Sequence, residues 1–487
     1  MKKLSITAAA ILLLSSCGTN NVPGFPDGAK GVIYPDYIGV TVPATIAPLN
    51  FSYTAPGLKD VKTVFSAGDV KVTVNGTKVC IKEKDWSKLL EAAAGGDITV
   101  SSSEMDSSWV IHVSGDEIDY GLNYRMLAPG YEVHSKMGIY ERELASYSQK
   151  AILENTQFDG CVNCHAYNRG DPGDMTLHIR GSHGATLIRK DGVMQAFNTK
   201  TDSTLGFCVY PYWHPGGQFV AFSTNTTRQG FHVGQEKLIE VFDLDSDLQV
   251  YDVLNNQVIS KPTVKKDSLW ETFPAFSPDG KTLYFCAAQA KPIPAEVTEI
   301  RYNLYKTSFD ASTGTLGDEV EMVVDAAGQG KSISFPKPSF DGKYLMFTLS
   351  DYGNFSIWHH ESDLWLLDLE TGRTRPLDEL NSTDTDSYHN WSSNSKWVVF
   401  SSRRDDGLYT RLYISHVNDD GTFTKPFMLP QKDPAAFYSN LMLSYNVPEF
   451  VTGPVPFDKI SAQKMINSPE RVQFVFRWYD YKTGAEL

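Results

Sequence analysis

Phe273-Pro274-Ala275-Phe276-Ser277-Pro278-Asp279-Gly280, with Leu283-Tyr284-Phe285 close behind, decides the fold. It reads as strand, tight turn, strand: Pro presets φ for the turn and Gly supplies the positive φ that closes it. The pattern returns three times. Tyr210-Pro211-Tyr212-Trp213-His214-Pro215-Gly216-Gly217 precedes Phe219-Val220-Ala221-Phe222. Phe335-Pro336-Lys337-Pro338-Ser339-Phe340-Asp341-Gly342 precedes Tyr344-Leu345-Met346-Phe347. Tyr388-His389-Asn390-Trp391-Ser392-Ser393-Asn394-Ser395 precedes Trp397-Val398-Val399-Phe400, with His389 in the place of Pro. Further strands follow, as in Leu364-Trp365-Leu366-Leu367-Asp368-Leu369 before Thr371-Gly372. Four strands recurring at roughly 50–65 residues make one propeller blade. Thr176-Leu177-His178-Ile179, Ala185-Thr186-Leu187-Ile188 and Val193-Met194-Gln195-Ala196-Phe197 supply a further, partial blade, which should take a closing strand from elsewhere in the chain. The expectation is a five- or six-bladed β-propeller over residues 173–455, with a C-terminal extension at 456–487.

The Ser-Pro-Asp-Gly turns resemble those of TolB-type, WD-like propellers, and the likeness covers about half of the 487-residue chain. Serine peptidases with such propellers carry a hydrolase domain that has no counterpart here. Gly-x-Ser-x-Gly, His-Glu-x-x-His and Gly-rich phosphate-loop patterns are also missing from the sequence, which argues against a hydrolase.

Upstream of the repeats, Gly39-Val40-Thr41-Val42, Val70-Lys71-Val72-Thr73-Val74 and Trp109-Val110-Ile111-His112-Val113 alternate apolar with polar residues between turns such as Asn75-Gly76. They predict a β-sandwich-like domain over residues 33–133, interrupted by a helix at 85–94, in a mainly β protein. Ile139, Leu144, Tyr147 and Ile152 recur near helical spacing among Glu141, Arg142, Glu143 and Lys150, predicting an amphipathic helix. Residues 134–172 would then form a short helical segment leading into Cys161-Val162-Asn163-Cys164-His165.

That motif places two thiols and an imidazole at the spacing that suits covalent haem. A zinc site would need further soft ligands, and a redox Cys-x-x-Cys should open a helix within a βαβ unit. The motif resembles the attachment site of cytochromes c, which implies one covalent haem c on Cys161 and Cys164, with His165 as proximal iron ligand. Met175 and His178 are the nearest candidates for the distal face. His183, Met137, an open position or a ligand remote in sequence are alternatives, as are core packing for Met175 and simple solvation for His178. No room is left for a separate cytochrome domain, so the haem is expected between the helix before Cys161 and the propeller edge. His214, His359, His360 and His389 either converge near the mouth of a propeller channel or are unrelated turn residues. Arg403-Arg404-Asp405-Asp406 reads as a solvated loop.

The first residues are processing signals. Met1-Lys2-Lys3, the apolar run Ile6 to Leu14 and Leu14-Ser15-Ser16-Cys17 resemble the signal peptide (1–16) and lipobox of bacterial lipoproteins, implying lipidation at Cys17 and a tether over 17–32. A lipid-anchored, exported protein follows, with the periplasmic side of the outer membrane favoured. The formal charge of −14 argues against nucleic acid as partner. Of the six cysteines, Cys80, Cys208 and Cys286 remain after lipid and haem; Cys208 and Cys286 could be buried thiols or a disulfide. The whole order resembles TolB-like, haem-motif lipoproteins of the Bacteroidetes type. It implies electron transfer or redox sensing with an envelope protein or redox partner docked on the propeller. A propeller adaptor with a structural haem and a peroxidase-like enzyme are the alternatives.

Overall fold

The computed structural model describes residues 32–130, 136–202, 204–232, 237–477, 479–480 and 485–486. The expected signal peptide, Cys17 and nearly all of the tether lie outside them. No helix among the described residues is long and apolar enough to cross a membrane.

Residues 33–114 form the N-terminal β domain. Its five-stranded sheet runs in the order Thr41–Pro43, Trp109–Ser114, Asp97–Ser102, Lys62–Ala67, Val70–Asn75, and a three-stranded sheet joins Ile33–Tyr34, Phe51–Tyr53 and Lys78–Val79. Phe51 of the smaller sheet packs on Phe65 and Trp109 of the larger, with ring centroids 6.3 and 5.9 Å apart. The helix Glu83–Ala92 buries Trp86, Leu89 and Leu90, one stripe at i, i+3, i+4. This domain and its connection to blade 1 are clamped to the propeller: Tyr34 Oη donates to Asp405 at 2.9 Å, and in the connection Asp116 reaches His416 at 2.7 Å and Asp119 accepts from the Ser393 amide at 2.7 Å.

The propeller has six blades, and it begins earlier in the chain than expected. Blade 1 combines Gly121–Leu127, Gly138–Glu143 and Gln149–Glu154 with Ser444–Val451, which returns from near the C-terminus as its innermost strand. Blade 2 runs from Cys161–Asn168 through Asp171–Arg180 and Ala185–Lys190 to Val193–Asn198. Blades 3 to 6 open on Cys208–Trp213, Leu269–Phe276, Ser332–Pro338 and Asp386–Trp391. The C-terminal extension holds the helix Lys459–Asn467, then adds Val472–Gln473 and Val475–Arg477 as parallel outer strands to blades 2 and 3.

Two expectations are corrected. The segment 137–155 is a strand pair and not a helix: Gly138–Glu143 bonds to strands on both sides. Two of the charged residues that suggested a solvent face, Glu141 and Arg142, are buried with partners, while Lys150 stays exposed. Arg142, 1% exposed, donates to the Pro430 carbonyl at 2.7 Å, and Glu141 accepts from Val455 N at 2.6 Å. The blade containing residues 176–197 does take a strand from elsewhere, Val472–Gln473 at its outer edge, but its inner strand, the one that carries the Cys-x-x-Cys-His motif, is local; blade 1 is the blade whose inner strand comes from far along the chain.

The repeats share two devices. In the turn after the inner strands of blades 4 to 6, Ser277, Ser339 and Ser392 hydroxyls bond the side chain two residues on, at 2.6, 2.6 and 2.7 Å, and in blade 3 His214 takes that place and accepts from the Gly216 amide. Within every inner strand the pairing register slips by the same bulge. Its two residues are Tyr210-Pro211, Phe273-Pro274, Phe335-Pro336, Tyr388-His389, Val447-Pro448 and, in blade 2, Asn163-Cys164. The first residue is left-handed in five blades, with φ between 48° and 55°.

Candidate functional site in the central channel

The bulges ring a cavity of about 270 Å³ on the channel axis. Tyr210, Phe273, Phe335 and Tyr388 form a continuous aromatic belt around four blades, with successive centroids 4.5, 4.5 and 4.7 Å apart. Blades 1 and 2 place Val447 and Asn163 at the same level, so the belt is interrupted on their side.

The motif faces this gap. Val162 points into the core, while Cys161, Asn163, Cys164 and His165 all line the cavity. In a regular strand Cys164 would share the face of Val162; the bulge after Val162 turns it toward the cavity with Cys161 and His165. Gly160, just before the motif, is dictated by crowding: a Cβ there would lie 2.2 Å from the Arg180 carbonyl oxygen.

His165 is 3% exposed, and neither ring nitrogen has a hydrogen-bond partner among the described residues. Burial, reinforced by the charges of Arg125 and Lys337, pushes its pKa down to about 3, against a weak pull from the Asn123 carbonyl. The imidazole is therefore neutral, with a lone pair available to a Lewis acid. His389 lines the same cavity at 2% exposure, and its Nε2 lies 3.0 Å from the Met346 carbonyl oxygen. A carbonyl only accepts, so Nε2 carries the proton and Nδ1 the lone pair. Nδ1 has no hydrogen-bond partner, although the Phe335 carbonyl also faces the ring.

The cavity is basic in an acidic protein. Arg125, Arg180 and Lys337 line it, with Glu449 as the only carboxylate among its described lining residues. Arg125 donates to Asn163 Oδ1 at 3.0 Å, which leaves its Nε buried without a partner. Arg180 stands beside Cys161 on the next strand. Lys337 pairs with Glu449 at 3.7 Å and lies 4.9 Å over the Tyr212 ring. Burial raises Glu449 to about 7 despite that lysine, and it lowers Lys337.

The other sequence candidates lie elsewhere. Met175, 1% exposed, packs in the core with Ile139 and Leu177, and His178 bonds Thr186 Oγ1 at 3.1 Å against Phe207. Both sit on the second strand of blade 2, whose side chains here meet neighbouring strands rather than the channel. His183 lies in the turn beyond them and is not among the lining residues; Met137 is. His214 is enclosed by Phe219, Phe276 and Phe309 with Nε2 3.2 Å from the Gly280 carbonyl oxygen. His359 pairs with Glu361 at 2.9 Å and His360 with Asp384 at 2.7 Å, so of His214, His359, His360 and His389 only His389 lines the cavity. The expected solvated loop at Arg403-Arg404 is buried instead: the Arg403 guanidinium stacks 3.3 Å over Trp358 and its Nε donates to the Ile357 carbonyl. Cys80, Cys208 and Cys286 are free thiols, the last two buried. Sequence reasoning missed Arg125, Arg180 and the aromatic belt.

Fold and site together define a six-bladed β-propeller, closed by the late strand Ser444–Val451, whose channel is lined by a Cys-x-x-Cys-His motif. No protein-family model matches the chain. No curated protein matches it either. Among solved structures it is similar to a protein designated TolB from Agrobacterium tumefaciens, at 14% identity over 68% of this chain and 98% of that one, with a TM-score of 0.36. A hypothetical selenium-binding protein from Sulfolobus tokodaii matches at 9% identity over 83% and 96%, TM-score 0.42. The Swd1 propeller domain of Myceliophteria thermophila matches at 11% over 66% and 91%, TM-score 0.37. The blade assignment rests on the strand pairing itself.

Proposed function

We propose that the protein is an exported redox protein that carries one haem c in the propeller channel, attached at Cys161 and Cys164 and ligated by His165. The observation that carries this reading is His165: a neutral, fully buried imidazole with two unpartnered nitrogens, on the same cavity as both thiols. Leaving buried polar atoms unpaired is costly, and one of the two nitrogens would bind the iron, with the Asn123 carbonyl near the ring. The residues present fit the group. Two thiols can add across two vinyl groups, each sulfur gaining carbon while its hydrogen passes to the vinyl carbon. Arg125 and Arg180 can hold carboxylates, and the aromatic belt offers an apolar wall to a flat macrocycle. When bound, haem supplies one-electron redox chemistry at its iron.

The chain's own groups set the conditions of that chemistry. The belt excludes water from one side of the cavity. The cations favour bound anionic groups, and the nearby positive charge of Lys337 favours the reduced form of any buried redox centre. The blade surfaces would dock an envelope or redox partner. Acylation at Cys17 would hold the protein on the membrane, on the periplasmic side of the outer membrane.

The test is expression in a host with c-type maturation, followed by haem staining of a denaturing gel and a pyridine haemochrome spectrum. One haem per chain that survives denaturation and is lost in Cys161→Ser/Cys164→Ser is expected. A folded protein without covalent haem under these conditions would refute the reading and leave a propeller binding module.

A further inference from the structure

We propose that His389 would be the second protein ligand of the channel haem iron, alongside His165. This inference rests on the haem reading above and assigns the face of the iron that the sequence left open.

The sixfold repeat carries the argument. The second bulge residue is Pro in four blades: Pro211, Pro274, Pro336 and Pro448. Proline suits a tight bulge because it fixes φ and has no N–H to leave unpaired. Two blades depart from it, and both replacements bear ligand chemistry: Cys164 in blade 2 and His389 in blade 6. These residues sit at one level of the channel and line one cavity. A chance polar substitution would be expected to find a hydrogen-bond partner for each of its atoms. His389 instead has one nitrogen tied and the other without a hydrogen bond, although the Phe335 carbonyl faces the ring.

The tied nitrogen is informative. Donation from Nε2 to the Met346 carbonyl at 3.0 Å fixes both the ring plane and the tautomer, leaving the Nδ1 lone pair free. Metal-bound histidines are held in this way: one nitrogen gives its proton to a carbonyl or carboxylate, and the other binds the metal. Nδ1 is buried and has no hydrogen-bond partner among the described residues. His165 and His389 also share a neighbour, since the Lys337 ammonium acts on both rings. Of the sequence candidates, Met175 and His178 do not line the cavity; Met137 does, at the level of the blade 1 strand ends. The geometry therefore favours bis-histidine ligation over histidine–methionine.

The experiment uses the full-length holoprotein, with optical and electron paramagnetic resonance spectra of the ferric and ferrous forms. The wild type is expected to be six-coordinate, low-spin and unreactive to carbon monoxide. His389→Ala should retain covalent haem at one per chain, turn high-spin, bind carbon monoxide at once, and return to low-spin on addition of imidazole. His389→Met, which keeps a side chain of similar reach, should show the methionine–iron charge-transfer band and a raised reduction potential. Met137→Ala should leave the wild-type spectrum unchanged. The inference is overturned if covalent haem stays low-spin and closed to carbon monoxide in both His389 variants, if Met137→Ala alone opens the iron, or if the wild type is five-coordinate. A wild type without covalent haem refutes the haem reading itself, which the haem stain distinguishes from these outcomes.

Discussion

Replacing His165 by Leu in a haem-free background (Cys161→Ser/Cys164→Ser) should stabilise the protein. The magnitude follows from the ring's surroundings. His165 is 3% exposed and both nitrogens lack partners. A buried polar group without its hydrogen bond costs about 1–3 kcal/mol. Two such atoms are present, but the Asn123 carbonyl lies close enough to soften the loss at one of them. The recoverable term is therefore one group's worth, about 1–3 kcal/mol. Leu is close to His in volume but differs in shape, and such swaps in a packed site cost up to about 1.5 kcal/mol. The net expectation is a gain of about 1 kcal/mol. Urea denaturation followed by tryptophan fluorescence and circular dichroism measures it as a rise in midpoint at unchanged m-value. A loss of more than about 1 kcal/mol would refute the reasoning, because the imidazole would then be making bonds that the fold needs. In the wild-type background the same substitution should remove the proximal ligand, so stability and cofactor binding would move in opposite directions.

Four further outcomes are expected. His178 is buried with its pKa pushed from 6.5 to about 3, so the unfolded chain takes up the extra proton between those values. Relative to His178→Asn, the wild type should lose ~1.4 kcal/mol per pH unit as pH falls through that window, and parallel pH–stability curves would contradict this. Phe273→Ala, which opens the belt between Tyr210 and Phe335, should cost about 3 kcal/mol, the low end for a buried Phe because the cavity already adjoins the ring; chemical denaturation reads it. Lys337→Met should cost about 3–5 kcal/mol at high pH, where Glu449 is left charged and unpaired, and less near pH 6, where Glu449 can stay protonated. Adding Glu449→Gln should recover most of that loss in a double-mutant cycle. Alkylation without reductant should label exposed Cys80 in the native protein, but Cys208 and Cys286 only after unfolding; burial pushes Cys208 up to about 12 and Cys286 upward as well.

Much of the propeller was legible because its punctuation is local. Ser277-Pro278-Asp279-Gly280 and its relatives mark the first turn of a blade through φ preferences alone. The bulge aromatics Tyr210, Phe273, Phe335 and Tyr388 opened every repeat, and their common spacing could have been read as a belt around one axis. Blade 1 was illegible for a different reason. Its strands Gly138–Glu143 and Gln149–Glu154 bury Glu141 and Arg142 against the far end of the chain, so tertiary partners override the polar pattern. The thiols and His165 were legible as a motif, but their setting was not: a register slip after Val162 decides which way Cys164 points, and nothing in five residues announces it. Sequence proximity also misdirected the choice of distal residues. Met175 and His178 are near in the chain but a strand away from the channel, whereas His389 is distant in the chain and on its wall.

The closure of blade 1 sets an order of events. Tyr445 pairs with Met126, so the ring cannot shut until almost the whole chain is available to fold. Until then blade 1 lacks its inner strand, and blades 2 and 3 lack the outer strands supplied by Val472–Gln473 and Val475–Arg477. Loop-closure over such separations is slow, so the nascent protein passes through an open arc of blades. Cys161 and Cys164 precede most of the blades in the chain and stay accessible along that arc; once the ring shuts they line its central cavity. Any enzyme that must reach both thiols therefore works in the interval between the appearance of blade 2 and the arrival of Ser444–Val451, and the length of chain between them is its clock.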